Sequence, residues 1–357
     1  MLYIDGSYGE GGGQILRTSL SLAAMTGQPI RIDRIRAGRE KPGLAIQHLT
    51  GVRAAATLCQ AEVMGDRVGS TQLEFIPRQP VQAGQYTFDV AQTLGTGSAG
   101  AVTLILQTVL LPLAVISGES TVILRGGTFV AWSPPAPYIE QVYLPVLQQM
   151  GVQATLKLAA WGWYPRGGGE LILQVRGNGS GVGSLRSIQL LERGTLRQIQ
   201  GVAIATELPS HIPQRMASRA ENLLAEAQLK AQVQPRRERG VGAGTGIFLM
   251  AEYDHSRTGF GAVGKLGLPA EEVAAIATQE LLEFHNHGAP VDVHLADQLL
   301  LPAALATTPS QYRVAEVSTH LTTNAWVIEQ FGLAKVAIDE ATHLVTVSPV
   351  SQSLSQR

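Results

Sequence analysis

A single cysteine, Cys59, stands in this chain of 357 residues, so no internal disulfide can form. That fits a reducing compartment, and the cytoplasm is the expected location. Charge is also sparse: 15% of residues are charged and the formal net charge is −1. Proteins that lie along a nucleic acid are ordinarily basic, so any such contact here must be a small arginine site and not a broad face. No apolar run reaches the roughly 20 residues of a membrane helix. The longest, 101–116, is interrupted by Gln107 and Pro112 and reads as a buried helix. Residues 1–13 have neither a basic stretch nor an apolar one, so no signal peptide is expected.

What the chain has in quantity is glycine, 39 residues, much of it in short clusters that suggest tight backbone turns beside ligands. Between the clusters, helical periodicity gives way to alternation in one recurring order. The first copy has a helix over 14–25, a strand over 29–35, a helix over 44–60 and a strand over 72–76. The second has strands over 86–90 and 121–124 around a helix over 98–116, then a helix over 137–150 and strands over 152–158 and 170–175. The third has a helix over 297–306, a strand over 312–317, a helix over 320–331 and strands over 335–338 and 343–347. A linker rich in Gly, Ser and Asn at 177–184 breaks the rhythm. The expected fold class is therefore α/β (α+β): a large domain of three repeated helix–strand units with mixed sheets over 1–180 and 289–357, and a small inserted α/β domain over 181–288.

Several clusters carry chemistry. Gly9-Glu10-Gly11-Gly12-Gly13-Gln14 lies between a short strand and a helix, where free backbone N–H groups and the helix dipole favour phosphate. No Lys-Ser/Thr pair follows, so it is not a Walker A loop. Glu10 would repel phosphate alone and suits a Mg²⁺ shared with it; the alternative is a plain turn with an exposed Glu. Arg34, Arg36, Arg39 and Lys41 form a positive segment, and guanidinium forks match phosphate oxygens. Arg17 on the first helix could point into the same place. Gly95-Thr96-Gly97-Ser98-Ala99-Gly100 has dinucleotide-binding spacing, but no acidic residue ends the following strand, so that reading is rejected. Gln107 is a lone amide in an apolar helix and needs a partner, structural or ligand. Asp297 is expected at a helix start, as cap or ligand. His320 sits at a strand-to-helix junction, where α/β proteins bind ligands, and could be base, metal ligand or nucleophile.

Taken together, Gly9–Arg17, Arg36-Ala37-Gly38-Arg39, Lys41-Pro42-Gly43, Gln47-His48-Leu49, Leu106–Leu110, Gly126-Gly127-Thr128, Pro134-Pro135, Tyr164–Gly169, Leu295-Ala296-Asp297-Gln298 and His320-Leu321 resemble the RNA 3′-terminal phosphate cyclase family from residue 5 to residue 331. The resemblance implies an ATP-dependent enzyme that converts an RNA 3′-phosphate to a 2′,3′-cyclic phosphate, with His320 as nucleophile carrying AMP. It implies Glu10 as ligand of Mg²⁺ (or Mn²⁺). Gln107, Pro134, Tyr138, His294, Asp297 and Gln298 become nucleotide contacts, and Arg17, Arg36, Arg39 and His48 residues needed for activity. The expected partner is an RNA ending in a 3′-phosphate, with a second copy of the chain as a further one and no membrane. Trp161, the stretch Phe129–Trp132, Pro137 and His294 depart from the family pattern. The competing readings are a non-catalytic cyclase-like scaffold in RNA–protein assembly and a carboxyvinyl transferase of related fold.

Overall fold

A computed structural model of the chain describes residues 1–92 and 99–350. The fold repeats one βαβαββ unit. In the first unit these are β1 (Leu2–Asp5), α1 (Gly13–Thr26), β2 (Ile30–Asp33), α2 (Ile46–Cys59), β3 (Glu62–Met64) and β4 (Leu73–Ile76). The sheet runs β1-β2-β4-β3, with β1 parallel to β2 and the remaining pairs antiparallel.

The second unit has β5 (Gln85–Asp89), α3 (Val102–Ala114), β6 (Ser117–Gly126) and then a helical stretch. That stretch is α4 (Ala136–Tyr138), a π-turn at Ile139–Tyr143 and α5 (Leu144–Gln149). Strands β7 (Gln153–Ala160) and β8 (Gly169–Asn178) close the unit. Its order, β5-β6-β8-β7, is the same, with the same parallel first pair. The cluster 95–100 falls mostly outside the described residues.

The third unit is split. It opens with β9 (Gln189–Leu190), and the chain then leaves for the small sheet. That excursion comprises β10 (Leu196–Thr206), α6 (His211–Glu226), β11 (Ala231–Glu238), β12 (Gly244–Tyr253), β13 (Arg257–Val263) and α7 (Ala270–His287). On its return it forms α8 (Val293–Gln298), α9 (Leu300–Ala304), β14 (Ser310–Arg313), α10 (Thr319–Gln330), β15 (Ala334–Asp339) and β16 (Leu344–Pro349). The third sheet reads β9-β14-β16-β15, and β9 pairs parallel to β14 across the whole excursion. The separate sheet, β11-β10-β12-β13, therefore begins after β9, and residues 185–190, inside the span expected for the small domain, pair with the third unit.

Apolar packing follows the same division. Helices α1, α2, α3 and α10 touch one another over the three sheets, and one large core joins them. A second core, from Ile199 to Ala289, lies between the small sheet and α6 and α7. Phe248 and Met250 of β12 belong to the large core, so the two parts share an apolar seam. Among the described residues no helix is long and apolar enough to cross a membrane.

Cys59, at the end of α2, is fully buried and donates its thiol to the Ala55 carbonyl at 3.3 Å. Burial pushes its pKa up to about 11, so little thiolate forms near neutrality. The native protein at pH 8 should leave a disulfide-exchange thiol reagent unreacted until it is unfolded. Rapid labelling of the folded protein would contradict this packing of α2.

Candidate active site

The glycine-rich turn between β1 and α1 is clipped to α10. The Glu10 N–H donates to Thr323 Oγ1 at 3.0 Å, and Tyr8 stacks on Trp326 with ring centroids 4.1 Å apart. Gly9 has a left-handed φ of 55°, and a Cβ there would lie 2.2 Å from Thr323 Oγ1, so only glycine fits this approach. The clip sets the Glu10 carboxylate, 13% exposed, against two groups: it pairs with Arg39, and Oε2 lies 3.5 Å from His320 Nδ1.

His320 is the second residue of α10, whose N-cap Ser318 accepts from the Leu321 N–H. Burial, then the charges of Arg17, Arg39 and His294, hold its pKa below the ordinary histidine value. The ring is therefore neutral at pH 7. With Nδ1 turned to Glu10, Nε2 is the nitrogen left to face outward.

Arg17 and His48 close the other side. Gln14 Oε1 accepts from Arg17 Nη2 at 2.6 Å and orients the guanidinium. Burial lowers the Arg17 pKa to about 10, with the Asp297 charge opposing. Burial raises Asp297 to about 7, with Arg17 opposing. His48 accepts the Ala45 N–H at Nδ1, 3.2 Å away, the part that Glu or Gln plays in a capping box. Its single ring proton is then on Nε2, beside Gly13, where a Cβ would come within 2.7 Å of Nε2 and 3.0 Å of Arg17 Nη1. Burial, then Arg36, Arg17 and Arg39, drive the His48 pKa down to about 3. Arg36 itself donates to the Gly43 carbonyl at 2.7 Å. Helix α1 has Gly12 as its N-cap, which offers no side chain to the first-turn N–H groups.

A second group continues from α3. Gln107 Nε2 donates to Gln298 Oε1 at 2.8 Å, and Gln298 Nε2 donates to the His294 carbonyl at 2.7 Å. Tyr138 stands behind His294, edge-on at 6.4 Å; it is buried and donates its hydroxyl to Asp292 at 3.0 Å. Pro134 is half-buried in the loop leading to α4. The two groups are joined by Asn324, which accepts from Thr18 at 2.6 Å and donates to the Asp297 carbonyl at 2.7 Å.

Asp297 is not a helix start. It lies within α8, and the N-cap is Asp292, whose carboxylate accepts from the His294 and Leu295 N–H groups and from Thr258 and Tyr138 hydroxyls. Asp292 escaped the sequence reading. Its signal was an Asp directly before an apolar helical run, overlooked because Asp297 matched the same pattern. Among the described residues no three His, Cys, Asp or Glu gather to hold a metal by themselves. A cleft of about 640 Å³ lies apart from this chemistry, between the small sheet and β7, and none of the candidate residues lines it.

A family model described as RNA 3′-terminal phosphate cyclase matches residues 8–338. A protein of that name from Nostoc punctiforme is 65% identical, covering 98% of this chain and 100% of its own length. One from Methylococcus capsulatus is 54% identical over 95% of this chain and 93% of its own. One from Archaeoglobus fulgidus is 41% identical over 97% and 99%.

The depressed pKa of His48 makes a stability prediction. Between about pH 6.5 and about 3 the unfolded chain takes up a proton that the folded chain refuses. Its contribution to stability therefore falls as pH falls through that window, by at most roughly 1.4 kcal/mol per pH unit. His48→Gln keeps an acceptor for the Ala45 N–H and does not titrate. Urea unfolding from about pH 6 to about pH 4 should give a shallower loss of stability for the variant than for the parent. Equal slopes would mean that His48 protonates normally in the fold.

Proposed function

The chain belongs to the RNA 3′-terminal phosphate cyclase family, and we propose that it uses ATP to convert an RNA 3′-terminal phosphate into a 2′,3′-cyclic phosphate through a covalent histidine–AMP on His320. The observation that carries this reading is His320 Nδ1 3.5 Å from the Glu10 carboxylate, at a place where burial, then Arg17 and Arg39, hold the ring's pKa below the ordinary histidine value. A carboxylate at Nδ1 fixes the tautomer and leaves an Nε2 lone pair for attack. The guanidinium groups around it suit phosphate oxygens.

In the first step His320 Nε2 attacks the α-phosphorus of ATP, and the bond to the bridging oxygen breaks to release pyrophosphate. Arg17 and Arg39 hold the charge of the ATP phosphates, His48 Nε2–H donates to a phosphate oxygen, and Arg36 is kept for the incoming RNA phosphate. An oxygen of the RNA 3′-phosphate then attacks the histidine-bound phosphorus, giving RNA(3′)pp(5′)A and returning the imidazole. Finally the adjacent 2′-oxygen attacks the 3′-phosphorus, loses its proton and expels AMP. This last step is intramolecular, so holding the ribose in place supplies much of its rate.

The donor set fits one Mg²⁺ or Mn²⁺. Glu10 is a nearly buried carboxylate that already meets a positive charge from Arg39, and Mg²⁺ is commonly held by one or two carboxylates together with substrate phosphates. Bound there, the ion would neutralise charge on the departing pyrophosphate. Glu10 would hold it, and Arg39 would be released toward phosphate. Gln107, Gln298, His294, Pro134 and Asp297 form the expected nucleotide side of the site, with Tyr138 acting through His294. The large domain of three units, with the small domain inserted after β9, is the proposed catalytic arrangement.

Incubated with α-labelled ATP and Mg²⁺, the protein should take up covalent, acid-labile label, and His320→Ala should abolish it. Full labelling of the alanine variant would remove His320 as nucleophile. No labelling of the parent would favour a scaffold.

The arginines separate by step. Arg36→Ala should still form histidine–AMP yet cyclise a 3′-phosphate RNA about ten- to a hundred-fold more slowly at subsaturating RNA, the loss of one charge-assisted hydrogen bond. Equal losses in the two assays would move Arg36 to the ATP phosphates.

A further inference from the structure

Trp132 has a left-handed backbone, φ 63°, and its side chain is 100% exposed. A bulky residue in that region is strained, and burial repays none of it here. Such outliers persist where they serve a site. The loop that carries it is tied to the candidate site by a short chain of contacts. Gln47, next to His48, accepts the Ala101 N–H at 3.0 Å. Ala101 bridges to Gly127, and the Val102 N–H donates to the Gly127 carbonyl at 3.0 Å. Val130 then packs on Ala101 and Leu104, one turn before Gln107. Ser133 donates its hydroxyl to the Val130 carbonyl at 3.0 Å and closes the turn whose tip is Trp132. The turn that carries the indole is thus anchored at its base to residues beside His48 and one turn from Gln107. The adjoining loop, joined through Thr128 and Gly162, exposes Tyr164 at 80%.

We infer that Trp132 is a stacking platform for a nucleobase near the 3′ end of the RNA, an inference that rests on the proposed cyclase reading. A net charge of −1 gives the chain no overall attraction for a phosphate backbone. Base–aromatic stacking is a contact beyond the terminal phosphate that every base can make. A fixed loop conformation also presents the ring without a further ordering cost.

The test compares Trp132→Ala, Trp132→Phe and Trp132→Gly with the parent, using a short RNA ending in a 3′-phosphate and the same RNA with an abasic penultimate nucleotide. Trp132→Ala should raise the KM for RNA about ten-fold, leaving kcat, the KM for ATP and the rate of histidine labelling at their parent values. Phe should restore most of the affinity. Gly relieves the left-handed backbone, so that variant should melt no lower than the parent while binding RNA as weakly as Ala. The abasic RNA should lose affinity for the parent but little more for Trp132→Ala. An unchanged RNA KM, or an equal rise in the ATP KM, would overturn the stacking role while parent cyclisation leaves the cyclase reading standing. A parent that labels but never cyclises would overturn both.

Discussion

A nearly buried carboxylate, that of Glu10, ties the first unit of the fold to the third. A charge taken out of water must be met by partners, and Glu10 meets Arg39 from the segment after β2 and His320 from the start of α10. The turn that carries it can reach α10 only because Gly9 lacks a side chain and Thr323 accepts the Glu10 N–H. Removing Glu10 would leave two cationic or ionisable groups facing each other in a partly dry pocket. The proposed chemistry depends on the same contact, since it is the carboxylate at Nδ1 that leaves Nε2 available.

The repeated unit explains why so many polar groups meet at one place. In each of the three repeated sheets the first two strands are parallel, and β1, β2, β6 and β14 lead into helices from their carboxyl ends, where α/β folds bind ligands. The turn after β1 carries Glu10, the segment after β2 carries Arg36, Arg39 and His48, and the turn after β14 carries His320. The second unit adds Gln107 on α3. Burial, and after it the positive charge collected this way, lowers the basicity of both histidines, and burial lowers the pKa of Arg17 and Arg36 as well. A chain of low overall charge thereby brings Arg17, Arg36 and Arg39 to one place, where the proposed chemistry needs phosphate.

Much of this was legible because the signals were local. Helices α1, α2, α3 and α10 follow apolar periodicity and appear within a few residues of the expected spans. The misses have physical causes. Strand β3 is three residues long. Strand β11 reads as a basic cluster with a proline, and Pro235 is tolerated because β11 is an edge strand. Strand β13 contains Gly259 and Gly261, which look like breakers but admit the rings of Phe248 and Phe129. The helix expected over 297–306 is two short helices that begin earlier, capped by Asp292. The two-residue β9 carries no periodicity, so the pairing of Gln189 with Gln311 and of Leu190 with Tyr312 could not be read at all. Residue roles at the site came from the family resemblance; spacing alone could not say that Glu10 and His320, 310 positions apart, are neighbours.

The proposed chemistry requires His320 to be neutral with its proton on Nδ1, facing Glu10, and its lone pair on Nε2. Long-range nitrogen–proton NMR of the ¹⁵N-labelled histidine rings at pH 7 tests this directly. One protonated and one unprotonated ring nitrogen are expected for His320, with Nδ1 the protonated one. In Glu10→Gln the same ring should shift toward a mixture of tautomers. A doubly protonated imidazolium, or a proton fixed on Nε2 in the parent, would contradict it.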